Sequence, residues 1–290
     1  MIDQDYVELL NRAPPSAEVV EWTFPTNILA GGFAAVLLGT PTLSLVLYLA
    51  GSEGHNLESD DVELRIPSFT RLGMVSTSRE AFTAGMHLAG MIAIPLFWCV
   101  RLTHRQRLHA RTGIARYDMQ SERALRWVSA AWFLGLMGGV CLFALGTVQG
   151  DLEQSWSARG VIHASISLLA ALGLIGQAGC TYWAMRKARR VLVVSDSDRV
   201  SFRRKERLCL LMAFSILATV TTVTLLESYE DDEFGGKEGG RDCDTEWCYS
   251  RSALGLWEWV LTVEEAIFSL VLMHDLEPAT GGVGVESFVL

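Results

Sequence analysis

Residues 28–50 read ILAGGFAAVLLGTPTLSLVLYLA, an unbroken run without a charged side chain. At about 1.5 Å per residue a helix of this length reaches roughly 35 Å, enough to cross a hydrocarbon core of about 30 Å. Five comparable stretches follow, at Ala81–Val100, Ala124–Val148, Val161–Met185, Leu208–Leu226 and Ser252–His274. Backbone polar groups cannot be left unbonded in lipid, so a spanning segment is a helix or a strand of a closed barrel. Continuous apolar runs, in place of alternating ten-residue ones, select helices. The expected fold is all-α, a polytopic membrane protein built as a bundle of six transmembrane helices.

The rest of the composition agrees. Half of the residues are hydrophobic, and the charges crowd into the gaps between the apolar runs, where a soluble domain would spread them. Those gaps are too short for a separate domain of about 50 residues or more. The expected organisation is a segment at 1–26, a six-helix membrane domain at 27–275 and a tail at 276–290. The opening segment carries Asp3, Asp5, Glu8, Glu18 and Glu21 against Arg12. It lacks the basic start and cleavage site of a signal peptide, so the first span is expected to persist.

Charge also orients the chain. The second connection holds Arg101, Arg105, Arg107, Arg111, Arg116 and Arg123, and the fourth runs from Arg186 to Arg207 with nine basic residues. By the positive-inside rule both face the cytosol. The first connection has Arg65, Arg71 and Arg79, and the acidic fifth has Lys237 and Arg241, so these face the lumen or exterior and both termini are cytosolic. A net charge of −9 thus divides into a basic inner side, suited to anionic lipid headgroups, and an acidic outer one. Nucleic acid is not an expected partner.

Cys99, Cys141, Cys180 and Cys209 fall in or beside the apolar runs, where cysteine behaves as a small apolar residue. Cys243 and Cys248 lie together in the acidic connection on the proposed oxidising side, and either a short disulfide-closed loop or two free thiols fits their spacing. Gly135 and Gly139, one turn apart, allow close helix approach. Pro41 and Pro95 remove backbone donors inside the first and second spans and are expected to bend them. The acidic run Glu230–Glu233 and Asp242–Glu246 lacks the twelve-position calcium-loop pattern and reads as a solvated loop. No metal or cofactor motif appears, and neither a phosphate-cradling loop nor a nucleophile elbow is present.

Three ionisable side chains share one depth. Counted from the lumenal helix ends, His163 lies about four residues in and His87 and Glu258 about six, a layer roughly 6–9 Å below the boundary. A carboxylate in a span is expensive, so Glu258 is expected to face the bundle or a wet cavity. There a histidine can share its proton or hold a headgroup, and the bland counterpart is helix-to-helix bonding worth about 1 kcal/mol.

Short ordered motifs extend from Pro67 to Asp275. Ile66-Pro67-Ser68-Phe69, then Gly73, Arg79 and Gly85-Met86-His87, resemble the loop and second helix of the FRAG/DRAM/SFK family of six-span membrane proteins. Ser201-Phe202-Arg203-Arg204-Lys205-Glu206-Arg207-Leu208 is similar to the approach to that family's fifth helix. Trp257-Glu258-Trp259 and His274-Asp275 are similar to its last. The Gly-Met-His portion most resembles the branch needed for lipid remodelling of GPI anchors, the post-GPI-attachment factors. The long acidic fifth connection and Leu276 after Asp275 depart from that branch.

The resemblance implies fatty-acid exchange on GPI in the Golgi or endoplasmic reticulum, an acyltransferase-type activity or an accessory to one. It implies His87, His163 and Glu258 as catalytic candidates. Pro67, Ser68, Arg79, Arg203, Arg204 and Lys205 become candidates for lipid or headgroup contact, with GPI or phospholipid and other membrane proteins as partners. Other branches imply an autophagy modulator, or a scaffold for phosphoinositide kinase or regulator of lipid asymmetry. Topology is checked by labelling sealed vesicles: an impermeant thiol reagent is expected to reach Cys243 and an Arg190→Cys variant from opposite faces. Access from one face overturns the arrangement.

Overall fold

The computed structural model describes residues 26–50, 72, 76–112, 119–148, 158–189, 196–233 and 245–276, with backbone alone at some helix ends. These form six helices: α1 Thr26–Ala50, α2 Ser76–Thr112, α3 Met119–Thr147, α4 Ala158–Lys187, α5 Asp196–Glu233 and α6 Thr245–Leu276. Pro67, Ser68 and Cys243 lie outside the described residues, as does the side chain of Cys248.

Each helix packs on the next in sequence, and α6 closes the ring on α1 while also touching α2 and α4. Apart from the longer stretch between α1 and α2, the connections are short, as between antiparallel neighbours. The surface is inverted relative to a water-soluble bundle. Large apolar side chains stand outward on every helix, among them Leu43 on α1, Met91 on α2, Phe133 on α3, Leu168 on α4, Leu217 on α5 and Ile267 on α6. An apolar surface this extensive is stable against acyl chains and not against water.

Length and composition make four of the helices candidate membrane spans on their own, at Asn27–Ala50, Ser78–Arg105, Glu122–Thr147 and Val161–Lys187. On α6 the carboxylates of Glu258, Glu264 and Glu265 dilute the apolar run. On α5 Leu208 to Thr222 is free of charge, preceded by the basic Ser201–Arg207. Both helices nevertheless turn apolar faces outward and complete the ring.

The arginine-rich connections are largely helical. α2 continues to Thr112 and α5 starts at Asp196, because hydropathy marks where the lipid ends, whereas a helix runs on until its caps or breakers. The segment 101–112 contains neither glycine nor proline. Asp196 and Asp198 occupy the first turn of α5, and Arg186 and Lys187 the last turn of α4, each sign matching the helix dipole. Pro41 and Pro95 sit inside α1 and α2 without ending them.

Glycine sets the spacing of α2, α3 and α4. A Cβ on Gly173 would lie 2.7 Å from the Gly138 nitrogen, and one on Gly90 2.6 Å from the Gly139 carbonyl oxygen. Backbone therefore packs on backbone at both seams. The Gly135 and Gly139 pair sits at these contacts: a Cβ on Gly139 would come 2.9 Å from the Ala93 methyl, and one on Gly135 2.6 Å from the Phe97 ring and 3.1 Å from Gln177. This is the small-residue packing that membrane helices use where no hydrophobic force draws them together.

The main core joins Phe33, Phe97, Met212, Phe268 and Leu272. A second gathers Leu108, Val128, Met185 and Phe202 near the basic end, where Tyr182 donates to Glu206 Oε1 at 2.8 Å and ties α4 to α5. Gly173→Ala and Gly90→Ala each force backbone apart and are expected to destabilise the bundle by about 1–3 kcal/mol. Gly179→Ala enters open space and leaves the melting temperature in detergent unchanged. Thermal unfolding of the three variants checks this.

Candidate functional site

Two of the candidate side chains bond to the end of α3. His87 projects from α2 and its Nε2 lies 3.0 Å from the Thr147 hydroxyl, with its ring centroid 4.5 Å from that of Phe143. Gly146 makes room for it, since a Cβ there would stand 2.7 Å from the imidazole Cδ2. His163 approaches from α4, is buried, and its Nδ1 lies 2.8 Å from the Val148 carbonyl oxygen. A carbonyl only accepts, so Nδ1 carries the proton and donates. In the neutral ring Nε2 then keeps its lone pair.

The two histidines thus reach consecutive residues, Thr147 and Val148, one from α2 and the other from α4. The geometry follows from local chemistry. α3 ends with Val148 N–H donating to the Ala144 carbonyl at 2.8 Å, and the last carbonyls of any helix lack partners within it. His163 satisfies one of them. This end lies away from Arg123 and Arg126 at the start of α3, so the pair sits at the arginine-poor end of the bundle.

Glu258 is half-buried on α6, which packs mainly on α1 and α5. Its backbone carbonyl accepts the Thr262 hydroxyl at 3.0 Å. The histidines are bonded to α3 and Glu258 stands on a different part of the ring. Arg79 is half-buried at the start of α2, where the neighbouring Ser78 hydroxyl donates to the carbonyl of Leu72, itself buried in the core, at 2.5 Å.

The basic trio divides. Arg203 and Arg204 are exposed, but Lys205 is completely buried, with Nζ 3.5 Å from the Met185 sulfur. Consecutive helical residues point about 100° apart, so a basic run on a packed helix cannot face one way throughout.

A further polar group lies in the interior. Glu264 and Glu265 are both buried, and the Ser215 hydroxyl donates to Glu264 Oε1 at 3.0 Å. Glu264 Oε2 and Glu265 Oε1 are buried without a hydrogen-bond partner among the described residues. Gln177 and Thr181 pair with each other at 3.1 Å inside α4. The acids were visible in the sequence as charges within an apolar run; Ser215, 49 positions away, carries no signal of its own. Thr147 and Val148 are likewise ordinary residues until the fold delivers histidines to them.

The family model described as Frag1/DRAM/Sfk1/Cwh43P N-terminal domain matches residues 32–279. The chain belongs to this family. The match takes in most of α1 and all of α2 to α6, so the resemblance of the short motifs extends to the whole bundle. No curated protein and no solved structure matches the chain.

Removing the Ser215 hydroxyl leaves both Glu264 oxygens bare, so Ser215→Ala is expected to cost about 1–3 kcal/mol. Glu265→Gln exchanges a buried acid, whose Oε1 is unbonded among the described residues, for a neutral amide and is expected not to lower the melting temperature at pH 8. A detergent-stability series comparing the two variants with the parent protein tests both outcomes.

Proposed function

We propose that this protein acts in fatty-acid remodelling of GPI anchors, at the membrane leaflet opposite its arginine-rich end. The observation that carries the reading is the pair of imidazoles on Thr147 and Val148. In this reading they lie within headgroup reach of that leaflet, and the proton on His163 Nδ1 leaves the Nε2 lone pair as the basic site. Family membership supports it, because lipid remodelling is one of the activities the resemblance implies.

In this reading a lyso-GPI hydroxyl enters beside the histidines. One imidazole removes its proton as the oxygen attacks the carbonyl of an acyl donor, and the same proton then passes to the leaving group. Glu258 orients the headgroup from α6, and Arg79, with Pro67 and Ser68 ahead of α2, contributes to the same lumenal surface. The setting is the endoplasmic reticulum or Golgi, with both termini cytosolic. A Cys243–Cys248 bridge, where formed, closes the acidic connection on the lumenal side.

A second reading has its own observation. Arg203 and Arg204 are exposed on α5, with Arg186, Lys187 and Arg189 exposed at the end of α4. This basic surface suits recruitment of a kinase or of anionic lipid, the scaffold function of another branch.

The readings separate in cells lacking the protein and rescued with variants. His87→Ala and His163→Ala, at normal expression, are expected to lower saturated-chain exchange on GPI-anchored proteins by about 10²–10⁴-fold for whichever histidine is the base, with Glu258→Gln giving a smaller loss. Unchanged GPI fatty acids in all three variants remove the lumenal reading. Loss of kinase recruitment on Arg203→Glu with Arg204→Glu establishes the scaffold.

A further inference from the structure

At the opposite end of the bundle, Arg101 stands four positions before the close of the α2 span at Arg105, about 6 Å inside it. This is the depth at which arginine reaches for phosphate groups. Two indoles hold it: its Cζ lies 5.6 Å from the Trp98 ring and 4.2 Å from the Trp132 ring. The rings themselves meet edge to face, with centroids 5.6 Å apart. The arrangement follows from spacing, since Trp98 and Arg101 are three residues apart on α2 and face the same way, and α3 brings Trp132 against them.

Cation–π attraction uses the rings' negative faces and does not itself consume the guanidinium N–H donors. Arg101 Nε is buried and has no hydrogen-bond partner among the described residues. The neighbour acting on its charge is Arg105, a second cation. The ion pairs described on the surface, Arg126–Glu122 at 2.7 Å and Arg199–Asp196 at 3.2 Å, involve other arginines. A guanidinium fixed in place, with its Nε unbonded among the described residues and a like charge beside it, is suited to an anion. Trp98 is substantially exposed on an outer face that meets lipid, so the anion is delivered by the bilayer.

We propose that Arg101, clasped by Trp98 and Trp132, binds the phosphodiester of an anionic phospholipid in the leaflet at the arginine-rich end. The planar guanidinium matches two phosphate oxygens at once, which lysine cannot do, and the two indoles hold it ready so that little side-chain entropy is lost on binding. The acyl chains lie along the apolar outer face of α2, against Met91 and Ile94, both exposed. The site is independent of the histidine pair and of the reading built on it.

Native mass spectrometry of the full chain, released from detergent with phosphatidylserine or phosphatidylcholine added, tests this. The parent protein is expected to retain phosphatidylserine in preference to phosphatidylcholine. Arg101→Gln weakens the tightest phosphatidylserine event about tenfold, the loss of roughly one charge-assisted contact. Arg126→Gln, outside the clasp, leaves it unchanged. Arg101→Lys keeps the charge and the packing stem, and is expected to fall several-fold through loss of the fork; it carries the test where the glutamine variant does not fold. Retention equal to the parent in the folded Arg101 variants overturns the proposal. So does complete displacement of the lipid by millimolar inorganic phosphate, which would make the site one for a free anion.

Discussion

A peptide N–H or C=O in hydrocarbon has no water to bond, and every other feature of this molecule is arranged around that fact. It makes the apolar runs helical, lets two prolines sit within α1 and α2 without ending them, and leaves helix termini as the places where backbone groups still seek partners. Because lipid is as apolar as leucine, the helices are not driven together by burial. Their contact comes from fit, and glycine supplies it at the Gly138–Gly173 and Gly90–Gly139 crossings.

The same constraint explains where the chemistry sits. Thr147 and Val148 end α3, and the carbonyl of Val148, with no partner in its own helix, receives the Nδ1–H of His163 while His87 bonds the adjacent hydroxyl. At the other end, a cation at the membrane edge is held by aromatic faces, as Arg101 is by Trp98 and Trp132. Between them the interior keeps Glu264 and Glu265, of which one oxygen accepts from Ser215. Polar side chains thus occupy three levels of one bundle, each answering a different local deficit of partners.

How far the site could be read beforehand differs residue by residue. His87 and His163 stood out in the sequence as imidazoles within apolar runs, where plain helix-to-helix bonding was an equally available reading, and the bonds they make are to the end of α3. That α3 receives both was not legible, since it depends on how α2 and α4 rotate about their axes, which glycines far along the same seams decide. Glu258, placed in the same layer by the same count, stands on α6, away from the helix the histidines share. Depth is one coordinate, and position around the ring is another. Lys205 teaches the same lesson: three basic residues in a row look equivalent in a string, yet a helix turns the third inward against Met185.

The chain alone determined the number of helices, their alternation, the arginine-rich and acidic ends, and membership in a family whose members share these features. All of these depend on hydrophobicity and charge, which add along the sequence and need no partner to be expressed. Only the tertiary structure decided that basic connections continue as helix, that α6 closes on α1, and which side chains face one another. Those depend on rotation and spacing of helices, set by close contacts among residues far apart in the chain, and no local property of the sequence encodes them.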